Sequence, residues 1–347
     1  MLISVRITVL LIMIISNGMA RSVNSAPNNS EPSTSYNLPT ELSSGTIITI
    51  NGKLKIDSTL RIMLLTKNGI DYACGMTFVP QKEVVIQDST EFPYNIRPAD
   101  ESITYTIYMD ARSVDQTIDV IEMYFESDNA GLLTLNSCPV DSLSSIEKIV
   151  INGKQSVLNM TFNFQKSTLK SNEVHDGING RTVNGYPLGS TSRRENEMAF
   201  RLPRPLENGD IIKVEGIIKS DDRQKFRMAL TTGENYIDKH NIACEVEADF
   251  LNNQFVMRTV VNGQIYDNIL DSSRGDPAPT DMFPDSVPEF ILEFNVNAEY
   301  NQIDISVGMS FLCSVDLKHN LRSISHVLLS DDILNVKELC FKFNQNQ

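Results

Sequence analysis

The sequence predicts an all-β protein made of two antiparallel β-sandwich domains, and three observations carry that prediction. Stretches such as "TIITI", "KEVVIQ", "ITYTIYM", "FILEFNV" and "IDISV" alternate or run apolar with β-branched and aromatic residues, which is the pattern of half-buried strands. Gly, Asn, Asp and Pro punctuate them at roughly ten-residue spacing, the rhythm of hairpins in a sandwich. The chain also repeats itself. "LPTELSSGTIITING" from Leu38 matches "LPRPLENGDIIKVEG" from Leu202, with Gly45 and Gly52 recurring as Gly209 and Gly216, 164 residues later in both cases.

The match keeps its order along both halves. "LRIMLLTKNG" parallels "FRMALTTG", "YAC" (72–74) parallels "IAC" (242–244), "TIDVI" parallels "QIDIS", and the halves close on "MTFNF" and "LCFKF". Helical periodicity is scarce; "VDSLSSIEKIV" suits a single turn. Two repeats of this length each suffice for one domain.

Taken in order, residues 1–20 are expected to form an export signal, with a retained signal-anchor as the rival reading: Arg6 precedes the apolar run "ITVLLIMII" (7–15), and small residues surround Ala20. That run is too short for a membrane span of about 20 residues, and no later segment suits one. Residues 21–37, rich in Ser, Asn and Pro, are expected to be a disordered lead-in. The first sandwich then occupies 38–164, a flexible linker 165–196 and the second sandwich 197–347. His175 and the basic pair Arg193–Arg194 fall in the linker. Sequons at Asn28 and Asn159 suit a secreted, extracellular glycoprotein. Five cysteines are too few for a disulfide scaffold. Cys74–Cys138 could bond, or a pair drawn from Cys244, Cys313 and Cys340.

With 347 residues and a formal charge of −14, the chain is unsuited to nucleic acid, whose phosphates demand basic patches. The histidines at 175, 240, 319 and 326 show neither metal spacing nor a partnered nucleophile, and His319 and His326 are expected at the surface. No catalytic or phosphate-binding motif occurs, so neither an enzyme, a metal nor a cofactor is expected.

One stretch stands out. "IACEVEADF" (242–250) places Glu245, Glu247 and Asp249 at alternate positions, so an extended strand would carry all three on one face. The row suits the wet side of a half-buried strand, a docking face for a basic partner, or, with less support, a cation site such as one for calcium.

The order of these pieces resembles a tandem-repeat galectin. "MAFRLPRPLENGDIIKVEGIIKSDDRQKFRMALTTGEN" is similar to the family's opening strands, and "IACEVEADF" stands where the family has "IALHFNPRF". "FVMRTVVNGQIYDNIL" stands in place of the valine-asparagine strand and the tryptophan loop. The resemblance implies two sheets per domain, with sugars on the concave one. It puts Glu245, Glu247 and Asp249 at the family's His, Asn and Arg positions, and Thr259 at the next asparagine. Tyr266 falls at or near the tryptophan, Ile269 and Asp271 near the glutamate–arginine pair, and Tyr236 is a second stacking candidate. In the first domain the corresponding residues are Gly75, Thr77 and Val79, with Asp88 in the neighbouring strand. The chain has no Trp, so the usual galactose-stacking ring is missing from both halves. The implied function is glycan binding without catalysis. Glycans, glycoproteins and cell-surface receptors are the expected partners, and a protein-interaction or adhesion module is the competing reading. Arg274-Gly275-Asp276 in "SSRGDPAP" adds a candidate adhesion loop, with an exposed polar turn as the plainer reading.

Overall fold

Along Thr46–Lys55 every second side chain is buried, so the sequence alternation becomes a sheet with one face in a core. The same alternation recurs throughout the computed structural model. It describes residues 32–67, 72–94, 101–114, 118–128, 130–164, 197–233 and 237–344. The leader, Asn28, the linker 165–196 and Tyr236 lie outside the described residues.

The first half contributes β1 (Ser33–Asn37), β2 (Thr46–Lys55), β3 (Leu60–Thr66), β4 (Tyr72–Val79), β5 (Val84–Gln87) and β6 (Thr90–Pro93). After these come β7 (Ser102–Val114), β8 (Ile118–Ser127), β9 (Ala130–Thr134), β10 (Cys138–Val140), β11 (Ile146–Asn152) and β12 (Gln155–Phe164). The second half contributes β13 (Met198–Arg201), β14 (Ile211–Ile218), β15 (Lys225–Thr232), β16 (Asp238–Asp249), β17 (Gln254–Val261) and β18 (Gln264–Asp271). It ends with β19 (Glu289–Asn297), β20 (Gln302–Val307), β21 (Ser310–Asp316), β22 (Ile324–Asp331) and β23 (Ile333–Lys342).

Two antiparallel sandwiches result, and they share a sheet. Six-stranded sheets run β1-β11-β3-β4-β5-β6 and β13-β22-β15-β16-β17-β18; an eleven-stranded sheet runs β10-β8-β7-β2-β12-β23-β14-β19-β20-β21, with β9 also on β8. The junction is β12 against β23, where Met160 faces Phe341, Thr161 faces Cys340 and Phe162 faces Leu339. Those residues are repeat equivalents of one another ("MTFNF" and "LCFKF"), so the halves meet about a pseudo-two-fold axis through Thr161 and Cys340. The axis relates other contacts as well. Asn37 N donates to Pro203 O while Arg201 N donates to Pro39 O, both at 2.8 Å. Tyr36 packs on Phe343, and Phe200 on Phe164.

Directly opposed residues of an antiparallel pair share a face, so both six-stranded sheets cover the same side of the long sheet. Their outer faces, which the resemblance takes as the concave ones, therefore look out together. One contiguous apolar core runs through both sandwiches.

Four local expectations need correction or explanation. The last five residues of the supposed lead-in form β1, held by β11 and by the burial of Tyr36. The repeated glycines 52 and 216 sit beside bulges where a Cβ would collide with Tyr105 or Phe290 and with backbone carbonyls of Ser156 or Asn335. Asn159 lies within β12, paired on both sides, and its Oδ1 accepts from Asn51 Nδ2 at 2.7 Å. Cys74 and Cys138 form a disulfide, while Cys244, Cys313 and Cys340 are buried thiols.

Candidate functional site

The concave face of the second half is built on β15, β16 and β17, and the acidic row is on it. Solvent does not hold these carboxylates, because Glu245, Glu247 and Asp249 are only 3%, 1% and 3% exposed. A buried anion needs a partner, and the flanking strands provide them. Register sets Lys225 opposite Asp249 and Arg227 opposite Glu247 on β15, and Arg258 opposite Glu245 on β17.

The contacts follow that register. Arg258 Nη1 donates to Glu245 Oε1 and Glu247 Oε2, both at 2.9 Å. Lys225 Nζ donates to Glu247 Oε1 at 3.0 Å and lies 3.5 Å from Asp249 Oδ2. Arg227 pairs with Glu247 and lies 3.3 Å from Asp331 Oδ2. Asn252 donates twice to Asp249, at 3.1 and 2.9 Å. Cations therefore cap the acids, and of the three cations Lys225 and Arg258 are more exposed than Arg227.

The charge states agree with this geometry. Burial opposes ionisation of Glu247, but bonds from Arg258 and Lys225 and the charge of Arg227 outweigh it, and its pKa falls to about 2. Asp249 is lowered too, burial being overcome by Asn252 and Lys225. For Arg258, burial is outweighed by the bonds to Glu247 and Glu245, and its pKa is raised. The wet-strand expectation for the row is thus replaced by a closed ion-pair ladder. Among the described residues no cluster of His, Cys, Asp and Glu is arranged to hold a metal.

One end of this face is apolar and already covered. Ala229, Ile237, Ile242, Val260 and Leu328 form a small buried cluster there. His326, expected at the surface, is instead buried in β22, with Nδ1 2.8 Å from Ser325 Oγ. Burial first, and then the charge of Arg201, push its pKa down to about 4. His319 Nε2 lies 2.7 Å from Val260 O.

The remaining candidates divide between faces. Thr259 and Tyr266 are paired with each other, one position out of step with Arg258 and Asp267. They therefore face away from the carboxylates. Thr259 is buried and donates to Ala243 O at 3.2 Å, while Tyr266 lies under the Lys318 ammonium, 4.8 Å from the ring centre. On the carboxylates' side β18 instead presents Ile265, Asp267, Ile269 and Asp271. The sequence reading missed Lys225, Arg227 and Arg258. For Lys225 and Arg227 the signal was a cation spacing of two residues in "QKFRMA", matching that of the acids.

In the first half Gly75, Thr77 and Val79 do share the concave face, alongside Arg61 and Met63 of β3 and Ile86 of β5. A Cβ on Gly75 would lie 2.9 Å from the Tyr72 ring, which crosses the face there. Asp88 is not in a strand. It has φ +47° and, with Ser89, makes the turn between β5 and β6, because this hairpin is shorter than β17–β18. In the adhesion tripeptide Arg274 is exposed, but the Asp276 carboxylate turns inward to accept from Asp271 N at 3.0 Å.

Comparison with known proteins agrees with the second half most directly. Residues 197–337 match the family described as "Galactoside-binding lectin". No curated protein matches the chain. Solved structures similar to it include Caenorhabditis elegans galectin LEC-6, at 13% identity and a TM-score of 0.32, covering 42% of this chain and 89% of that one. Sheep Galectin-11 in complex with glycerol is similar at 15% identity and a TM-score of 0.32, covering 44% of this chain and 99% of that one.

Proposed function

We propose that this protein is a secreted, galectin-like carbohydrate-binding protein whose two concave faces look out from one scaffold, with simple galactosides not its principal ligands. The family match over residues 197–337 is the observation that carries this reading. The ion-pair ladder gives it a mechanism. Sugar hydroxyls are bound well by planar donors whose orientation is fixed beforehand. Arg258 is such a group, because Nη1 is anchored on Glu245 and Glu247 while the side chain stays 24% exposed. Lys225, anchored on Glu247 and Asp249, lies beside it. Without a tryptophan, exposed Ile265 and Ile269 form only an apolar ledge on this face.

Secretion is inferred from Arg6 and the apolar run 7–15; glycans and glycoproteins, including those of cell-surface receptors, are the corresponding partners. No helix among the described residues is long and apolar enough to cross a membrane. A glycan array probed with the whole protein, with lactose as competitor, tests the proposal. Binding that survives lactose and falls at least about tenfold in Arg258→Lys supports it, since Lys cannot reproduce a two-pronged planar donor. An array without signal removes it. The internal pairing of the carboxylates favours a second reading, a protein-interaction module that retained the sandwich and lost the sugar.

A further inference from the structure

Strand β18 is the one long, regular sheet edge left largely open among the described residues, with the Asp271 N–H at its end taken by the Asp276 carboxylate. Edge strands carry unpaired backbone N–H and C=O groups, and proteins blunt them with shortness, proline, bulges or cover. The other edges follow that rule. β6 has four residues and ends in Pro93, and β10 has three and contains Pro139. β9 and β21 carry register shifts, and β1 and β13 meet the opposite half through Pro203 and Pro39. By contrast, β18 runs for eight residues with unbroken register, without proline, lysine or bulge, and Gln264–Ile269 are all exposed.

Its chemistry specifies a partner. Toward the concave side it shows Ile265, Asp267, Ile269 and Asp271, apolar and acidic in alternation. Arg258 stands directly opposite Asp267 but reaches the other way, to Glu245 and Glu247. Asp267 forms no ion pair among the described residues, and the whole chain carries −14. We propose that β18 is a docking edge for an extended segment of a partner protein, added as a seventh strand, with basic and apolar side chains alternating along its concave-side face. Backbone bonds supply affinity in this mode and side chains supply selection. The proposal is independent of the glycan reading.

The test uses the intact protein and a capped peptide, Val-Thr-Lys-Thr-Val-Thr-Lys-Thr, with binding followed by fluorescence anisotropy. Three losses of at least about tenfold are expected: on replacing both lysines of the peptide by glutamate, on N-methylating alternate peptide nitrogens, and on changing Asp267→Lys. Exposed Asp267 has no packing role, so that variant keeps its fold, which circular dichroism verifies. Binding indifferent to N-methylation means mere charge attraction and overturns the proposal. Sedimentation showing a dimer that Asp267→Lys dissociates also overturns it, because the occupant would then be a second copy of the chain.

Discussion

The two concave faces share a fold and a register yet are filled by opposite chemistry. At equivalent positions the first carries Gly75, Thr77 and Val79, the second Glu245, Glu247 and Asp249. The first is crossed by the Tyr72 ring and flanked by Met63 and Ile86. The second is a ladder of buried anions locked by Lys225, Arg227 and Arg258. Their supports differ too, since the Cys74–Cys138 bond staples β4 to β10 while the second half keeps its thiols. A sandwich constrains which residues share a face, and leaves open what is placed there. Each half has solved the problem of holding its central strand differently.

The largest expected effect sharpens that contrast. The disulfide closes a sequence separation of 64, for which chain-entropy estimates give about 4 kcal/mol. Replacing Cys74 and Cys138 together by serine should lower stability to denaturant by about that amount. A loss below about 1 kcal/mol would mean that the core alone holds the first half.

Next in size comes Glu247→Ala. It leaves Arg227, Arg258 and Lys225 competing for the remaining carboxylates, and unbalancing a buried pair costs about 3 kcal/mol. The equivalent change Thr77→Ala, at a half-buried position without an ion pair, should cost less than about 1 kcal/mol. Equal losses at both positions would break the comparison. Acid should act in the same direction as Glu247→Ala. Glu247 has its folded pKa lowered from 4.5 to about 2, so its stabilisation is complete above pH 4.5 and lost as pH falls toward 2. His326, lowered from 6.5 to about 4, favours folding above pH 6.5 and loses that contribution on the way down to 4. Denaturant midpoints should therefore fall in both windows, and the lower one should flatten in Glu247→Gln.

A smaller change probes the first face. In Gly75→Ala the new Cβ would meet Ile62 O at 2.2 Å, and overpacking of this kind costs about 1–3 kcal/mol. Thermal unfolding measures it. A neutral result would show that β3 and Tyr72 can move aside.

Much of this was legible in the sequence, for a physical reason. Period-two alternation survives wherever a strand has one wet and one dry face, so β2, β7, β19 and β20 announced themselves. "STSYN" did not, because β1 has a single fully buried side chain, Tyr36. The acidic row was legible as a row, but its partners belong to other strands and only register reveals them. A slip of one residue put Thr259 where Arg258 faces the site, since adjacent residues point to opposite sides. Asp88 was misplaced because the first half's β5–β6 hairpin turns early, and a shortened hairpin leaves no mark in the strand pattern itself. The joining of the halves was hidden most deeply, as edge pairing is made by backbone. The aromatic residues of "MTFNF" and "LCFKF" gave its only side-chain hint.

The smallest expected effect is none at all, and it bears on how the two faces work together. If the halves were tethered only by residues 165–196, cutting there would release them. The shared sheet argues otherwise, because β12 and β23 pair over five positions. Phe162 also packs on Phe341, and two further backbone bonds join the halves near Pro39 and Pro203. Flexible tethers add only effective concentration to contacts already made. A protease site inserted between 165 and 196 and then cut should leave both fragments in one species by native mass spectrometry. The fragments should also show an unfolding midpoint close to that of the uncut protein at high concentration. Fragments that separate would make the faces independent and restore a tethered pair. Fragments that stay together would show that the shared sheet fixes the spacing of the two faces.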